Sequence, residues 1–367
     1  MISLTITDTQ IALYADEIHQ KILKHRLDAA LDPKKNKKGA LKRFEIKFYE
    51  SVRKDVPRLL SLKPAEIEQE FAGYLVDHLD YVVFASGDLE RIVAHIPAKD
   101  RPFYEQEWKK HVAPPRKNAK KPVRPKPCKC SFCVTSRNAR LMFNWPDFTE
   151  KDKKVIPSES MAGRYVKSVG ATVCPYCSRN YISPISDKDD NIYRPDLDHF
   201  YARSIYPYFG LCLQNLVPSC AACNCRIKNN VDFMFKKIFH PYQHEAPDDL
   251  FVLDGTFIVD KGKAEPSSMS VRINTAVDEP FLNGAAFFHL DTAYATHITQ
   301  ACDFVNSLNH LTDEWLEERA TLLGLDKHYL KDVLHRSRLE DKETYKTRAL
   351  GKMFRDIYNY CKTDLKR

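Results

Sequence analysis

Two Cys-x-x-Cys pairs, Cys174/Cys177 and Cys220/Cys223, constrain this chain more than anything else in it. Two intervening residues let the backbone turn so that both thiolates of a pair face one ion, and two such pairs complete a closed, tetrahedral Zn²⁺ site. The 42 residues between Cys177 and Cys220 far exceed the roughly 15 to 20 of a short zinc ribbon. A further structure must therefore be built inside the clip. The chain has eleven cysteines, an odd count, and four of them already fall into metal-ligand pairs. That usage suits metal binding in a reducing compartment better than a disulfide framework.

Inside the clip lie Asp198-His199, then Asn215-Leu216, and Asn224 follows the last cysteine directly. Adjacent residues on an extended segment point to opposite sides, so Asp198 can hold a hard cation while His199 faces a substrate as a base. The order C-x-x-C, D-H, N-L, C-x-x-C-N, x-x-x-K resembles the HNH endonucleases of the His-Me finger class in their zinc-braced form. The resemblance covers about 55 residues and implies a ββα-metal unit, a hairpin carrying the Asp-His pair and a helix returning a third polar ligand. By that resemblance Asp198 and Asn224 bind a catalytic Mg²⁺ or Mn²⁺ and His199 is the general base. Asn215 then holds the loop that carries His199. An ordinary imidazole pKa near 6.5 leaves such a base mostly neutral at pH 7. The third position is Asn where some members have His, which leaves the preferred metal open. Asp196, two residues before Asp198 and on the same side of a strand, is the second candidate ligand, and His240 is a fallback for the third position.

The fold class expected is α+β, a mostly helical chain around the zinc-clipped core with a small β-hairpin. At 367 residues and 43% apolar content the chain can bury a substantial core. We divide it into a helical region 1–107, a basic Pro-rich linker 108–127, the nuclease-like core 128–245, and a hairpin with a helical closing region 246–367. Asp8 is expected to cap a helix through Ile11, Ala15, Ile18 and Ile22, and Ser61 to precede one through Ile67, Phe71, Tyr74 and Leu75. The acidic run 187–191 reads as a hairpin tip. Asp254-Gly255, between β-formers on both sides from Phe251 to Val259, reads as a two-residue hairpin turn, with a further strand at 271–274. Helical spacing returns from 281 to 365.

Residues 109–126 combine four prolines with eight Lys/Arg and no acid. Their charge equals the formal +8 of the whole chain, so the basic character is local. Lys117, Lys120, Lys121 and Arg124 are candidate phosphate contacts, as are Arg226 and Lys228 after the clip and the run 34–38. The bland reading of each is a solvated charge. Cys128, Cys130 and Cys133 follow directly and suggest a second zinc site, with a fourth ligand from Cys212, Cys225 or a histidine.

The leading expectation is a metal-dependent endonuclease acting on nucleic acid, with DNA favoured. Its overall layout resembles larger bacterial HNH proteins of genome-defence settings. The rivals are a zinc-braced binding module without chemistry, and an effector subunit licensed by a partner such as an ATPase. Met1–Gln20 carries neither a basic leader nor a long apolar run, so no membrane partner and a cytoplasmic location are expected.

Overall fold

Helices occupy the first hundred residues because their apolar positions recur every three or four residues. The computed structural model describes residues 1–34, 41–112, 128–144, 146–149, 160–187, 190–255, 264–310, 313–334 and 342–364. Ile11, Ala15, Ile18 and Ile22 all turn inward along a helical run from Asp8 to Leu31. Thr7, not Asp8, caps it. The Thr7 hydroxyl accepts the Gln10 N–H at 3.2 Å and the Gln10 side chain accepts the Thr7 N–H at 3.0 Å, a reciprocal box that Asp8 cannot make from inside the first turn. Ser61 likewise ends the helix Arg43–Ser61. The next helix, Pro64–Asp77, opens on a proline whose missing N–H is no loss at that position, and it buries Ile67, Phe71, Tyr74 and Leu75.

Six short strands form three antiparallel pairs among the described residues. The pair β1 (Ile185–Asp187) and β2 (Asp190–Tyr193) flanks the acidic run. The pair β3 (Asp196–His199) and β4 (Leu216–Ser219) sets Asp198 opposite Val217 and His199 opposite Leu216. In the third pair, β5 (Phe251–Gly255) meets β6 (Met269–Ile273). Asp254 and Gly255 therefore sit inside a strand, opposite Ser270 and Met269, and are not the expected hairpin turn. Residues 256–259, the second arm of that expected hairpin, lie outside the described residues. The pairing follows from burial: Phe251 and Leu253 face Ile273 and Val271, all four buried. Gly255 serves close approach, because a Cβ there would fall 2.7 Å from the Ser268 carbonyl oxygen.

The apolar interior is continuous from Met1 through the clip to Cys361. Both flanks close on the first cysteine pair. The Ile2 N–H donates to Pro175 O at 2.9 Å and the Leu350 N–H to Ser178 O at 2.7 Å. From the helix Leu290–Ala295, the buried Tyr294 hydroxyl donates to Cys177 O at 2.7 Å. No helix among the described residues is long and apolar enough to cross a membrane.

Candidate metal centres and active-site cleft

The residues Cys174–Ser178 fold into a tight knuckle. Ser178, at a positive φ of 52°, donates its N–H to Cys174 O at 2.8 Å, and the Cys174 N–H donates to Asn180 O at 2.9 Å. The second pair stands at the entrance of the helix Ala222–Lys228, where Asn224 N–H donates to Cys220 O at 3.0 Å. All four cysteines are buried and their sulfurs lie within 4.8 Å of one another. Tetrahedral bonds of ~2.3 Å require sulfur–sulfur edges of about 3.8 Å, so this constellation could hold one metal ion. The Asn180 amide donates to Cys220 Sγ at 3.3 Å and supports that ligand from outside.

The clip brings helix 222–228 against β3, and between them opens a cleft of about 260 Å³ lined by Asp198, His199, Arg203, Asn224, Asn229 and Asn230 among others. The helix is wound wide, with the Asn229 N–H reaching back five residues to Asn224 O at 2.7 Å. Such π-turns are frequent at functional sites. His199 Nε2 lies 2.9 Å from Gly210 O. A carbonyl can only accept, so Nε2 carries the proton and Nδ1 the lone pair. Burial, helped by the nearby Arg203 charge, pushes the imidazole pKa down to about 3. The ring is therefore neutral throughout the physiological range, and burial makes it a weaker base than the ordinary imidazole expected from the sequence.

Asn215, fully buried, stitches together the excursion 200–215 between β3 and β4. Its side-chain oxygen accepts the Tyr201 N–H at 2.7 Å, and its amide donates to Tyr201 O at 3.1 Å and Phe209 O at 3.0 Å. The backbone of Gly210, which receives the His199 ring, is thereby placed.

Asp198 is 2% exposed. It accepts the Tyr176 hydroxyl at 2.6 Å and the Lys228 ammonium at 2.9 Å. Lys228 also donates to His199 O at 2.7 Å and lies 5.0 Å over the Phe233 ring. Its expected role as a phosphate contact is thus corrected: a buried ammonium must be paired, and this one braces the strand that carries the Asp-His pair. Asn224 shares the cleft with Asp198, but its amide donates to Asp196 at 3.4 Å. The acid directly bonded to Asn224 is therefore the second candidate, Asp196.

Arg226 is exposed. His240 is buried against Phe200, with ring centroids 4.1 Å apart, and its Nδ1 accepts the Tyr242 N–H at 3.2 Å. It is a core histidine and not a lining residue of the cleft. Lys117, Lys120, Lys121 and Arg124, and the run 35–38, lie outside the described residues.

Neither Cys212 nor Cys225 joins Cys128, Cys130 and Cys133. Cys212 Sγ is 3.4 Å from Leu62 O and Cys225 Sγ 3.3 Å from Asp196. The histidine beside the three cysteines is His111, whose ring nitrogen completes a second group with ligand atoms within 4.8 Å of one another. Sequence reasoning also passed over Arg203, four residues beyond His199 and on the cleft wall. Its only signal was a cation close to a base. No protein-family model, curated protein or solved structure matches the chain.

Proposed function

We propose that this chain is a metal-dependent endonuclease of HNH type that hydrolyses phosphodiester bonds of nucleic acid, DNA first among them. The observation that carries the reading is His199, whose Nε2–H is committed to Gly210 O and whose lone pair is therefore on Nδ1, in a cleft it shares with Asp198 and Asn224. Held neutral, it takes the proton from a water attacking phosphorus while the bond to the leaving oxygen breaks. Arg203 on the cleft wall supplies positive charge toward the phosphate.

A carboxylate offers about four lone-pair directions, and Tyr176 and Lys228 use two at Asp198, so capacity for a cation remains. Mg²⁺ sites commonly use only one or two protein carboxylates, so Asp198 and the Asn224 amide oxygen would be its ligands from this chain. An ion held there would supply charge stabilisation of the scissile phosphate and the leaving oxygen. The four-cysteine clip would hold Zn²⁺, the metal that buried tetrahedral thiolates select.

The test is cleavage of supercoiled plasmid, single-stranded DNA and RNA by the purified chain with Mg²⁺, Mn²⁺ or EDTA. Cutting that needs the divalent ion and His199 is the expected result. No cutting of any of the three substrates, or equal cutting by His199→Ala, would sink the reading and favour a zinc-braced binding module.

A further inference from the structure

We propose that His111, Cys128, Cys130 and Cys133 form a second Zn²⁺ centre, separate from the four-cysteine clip and of a different exposure. The histidine ends the helix Arg101–His111 and the last cysteine lies in the first turn of the helix Ser131–Met142, so the centre joins two helices through the metal. His111 Nδ1 lies 3.0 Å from Cys130 Sγ and 3.7 Å from each of Cys128 Sγ and Cys133 Sγ. With bonds of ~2.3 Å to sulfur and ~2.0 Å to nitrogen, a tetrahedral zinc needs nitrogen–sulfur edges of about 3.5 Å. The four atoms stand close to that arrangement.

The surroundings are those of a metal centre. Backbone N–H groups point at two of the sulfurs, Cys130 N–H to Cys128 Sγ at 3.4 Å and Cys133 N–H to Cys130 Sγ at 3.5 Å, the kind of outer support that orients metal ligands. The His111 ring is set by Trp108 at 4.8 Å, which in turn meets Phe132 edge-on at 5.2 Å. Arg137 donates to Cys128 O at 3.1 Å and fixes the least constrained ligand. Three thiolates and one imidazole leave no open position, so the centre is structural, and its soft donors select Zn²⁺ over Mg²⁺ or Mn²⁺.

Its accessibility sets it apart. Cys128 is exposed and Cys130 and Cys133 are partly so, whereas all four sulfurs of the clip are buried. Chelators and oxidants therefore reach this centre first. What it holds also bears on the cleft, since the helix Ser131–Met142 carries Arg140, whose guanidinium donates to Ser204 O at 3.3 Å, one residue beyond Arg203.

The experiment is metal counting on the full chain by plasma mass spectrometry, with Cys130→Ser and His111→Ala alongside. Two zinc ions per chain are expected in the wild type and one in either variant, whether or not the chain cuts nucleic acid. Should the variants fail to fold, the wild type still decides. Its zinc should leave in two phases on addition of a chromogenic chelator, the first without loss of the folded state. One zinc per chain in the freshly purified wild type, or a disulfide among Cys128, Cys130 and Cys133 in place of the metal, overturns the proposal.

Discussion

The Lys228 ammonium lies 2.9 Å from the Asp198 carboxylate with the two side chains 1% and 2% exposed. Removing one member of such a pair strands the other charge, at a cost of about 3 to 5 kcal/mol. Lys228→Met should lower the urea midpoint accordingly, and Lys228→Met/Asp198→Leu should recover much of the loss. If Lys228→Met melts like the wild type, the pair is not the brace described.

For the cleft, His199→Ala removes the proposed base and leaves the clip untouched. Cleavage should fall by about 10²- to 10⁴-fold, the usual contribution of a positioned acid or base. Nucleic-acid binding should hold, and stability should fall only by the roughly 1 to 3 kcal/mol of the hydrogen bond lost to Gly210 O. A loss of binding equal to the loss of cleavage would assign the ring to substrate affinity and not to proton transfer.

Cys220→Ser breaks the buried clip, where metal binding energy is folding energy. The variant should bind fewer zinc ions than the wild type and lose its cooperative unfolding transition. An unchanged zinc count with an unchanged thermal melt would contradict the clip.

Acid should destabilise the chain through His240. Its burial, with the His244 and Lys228 charges, holds the folded pKa well below 6.5, while the unfolded chain titrates near the ordinary value. Below pH 6.5 the unfolded state binds more protons, so stability present above that value declines as pH falls, by about 1.4 kcal/mol per pH unit for one proton. His240→Asn keeps an acceptor for the Tyr242 N–H and does not titrate. Its stability relative to the wild type should therefore improve between pH 6.5 and 5.5, and parallel curves would refute this.

Neutralising Lys117, Lys120, Lys121 and Arg124 together tests the basic segment, which is argued from sequence alone. For every phosphate that these side chains no longer neutralise, the salt dependence of binding should flatten by about 0.9 log units per decade of salt. An unaltered slope makes the segment a plain connector.

The clip was legible because ligand spacing is a local, chemical constraint, and the helical stripes because Ile11 or Phe71 must face inward wherever the chain goes. What escaped is non-local. His111 stands seventeen residues before Cys128, across a stretch whose prolines break any periodicity. Lys228 has the look of a solvated lysine on a helix, and only the position of Asp198 across the cleft shows that it is buried. Asp254-Gly255 has turn composition, but Phe251 and Leu253 found better apolar partners in β6 than a local turn could offer. Asn224 was paired by sequence with Asp198, while the same-face register of β3 delivers Asp196 to it as well.

The knuckle Cys174–Ser178 is held by Ile2 on one side and by Tyr294 and Leu350 on the other. In engineering terms the unit 128–245 is not portable. A fragment limited to residues 128–245 would expose the carbonyls of Pro175, Cys177 and Ser178 and the apolar surface beneath them, so grafts of this unit onto another protein must bring both flanks along.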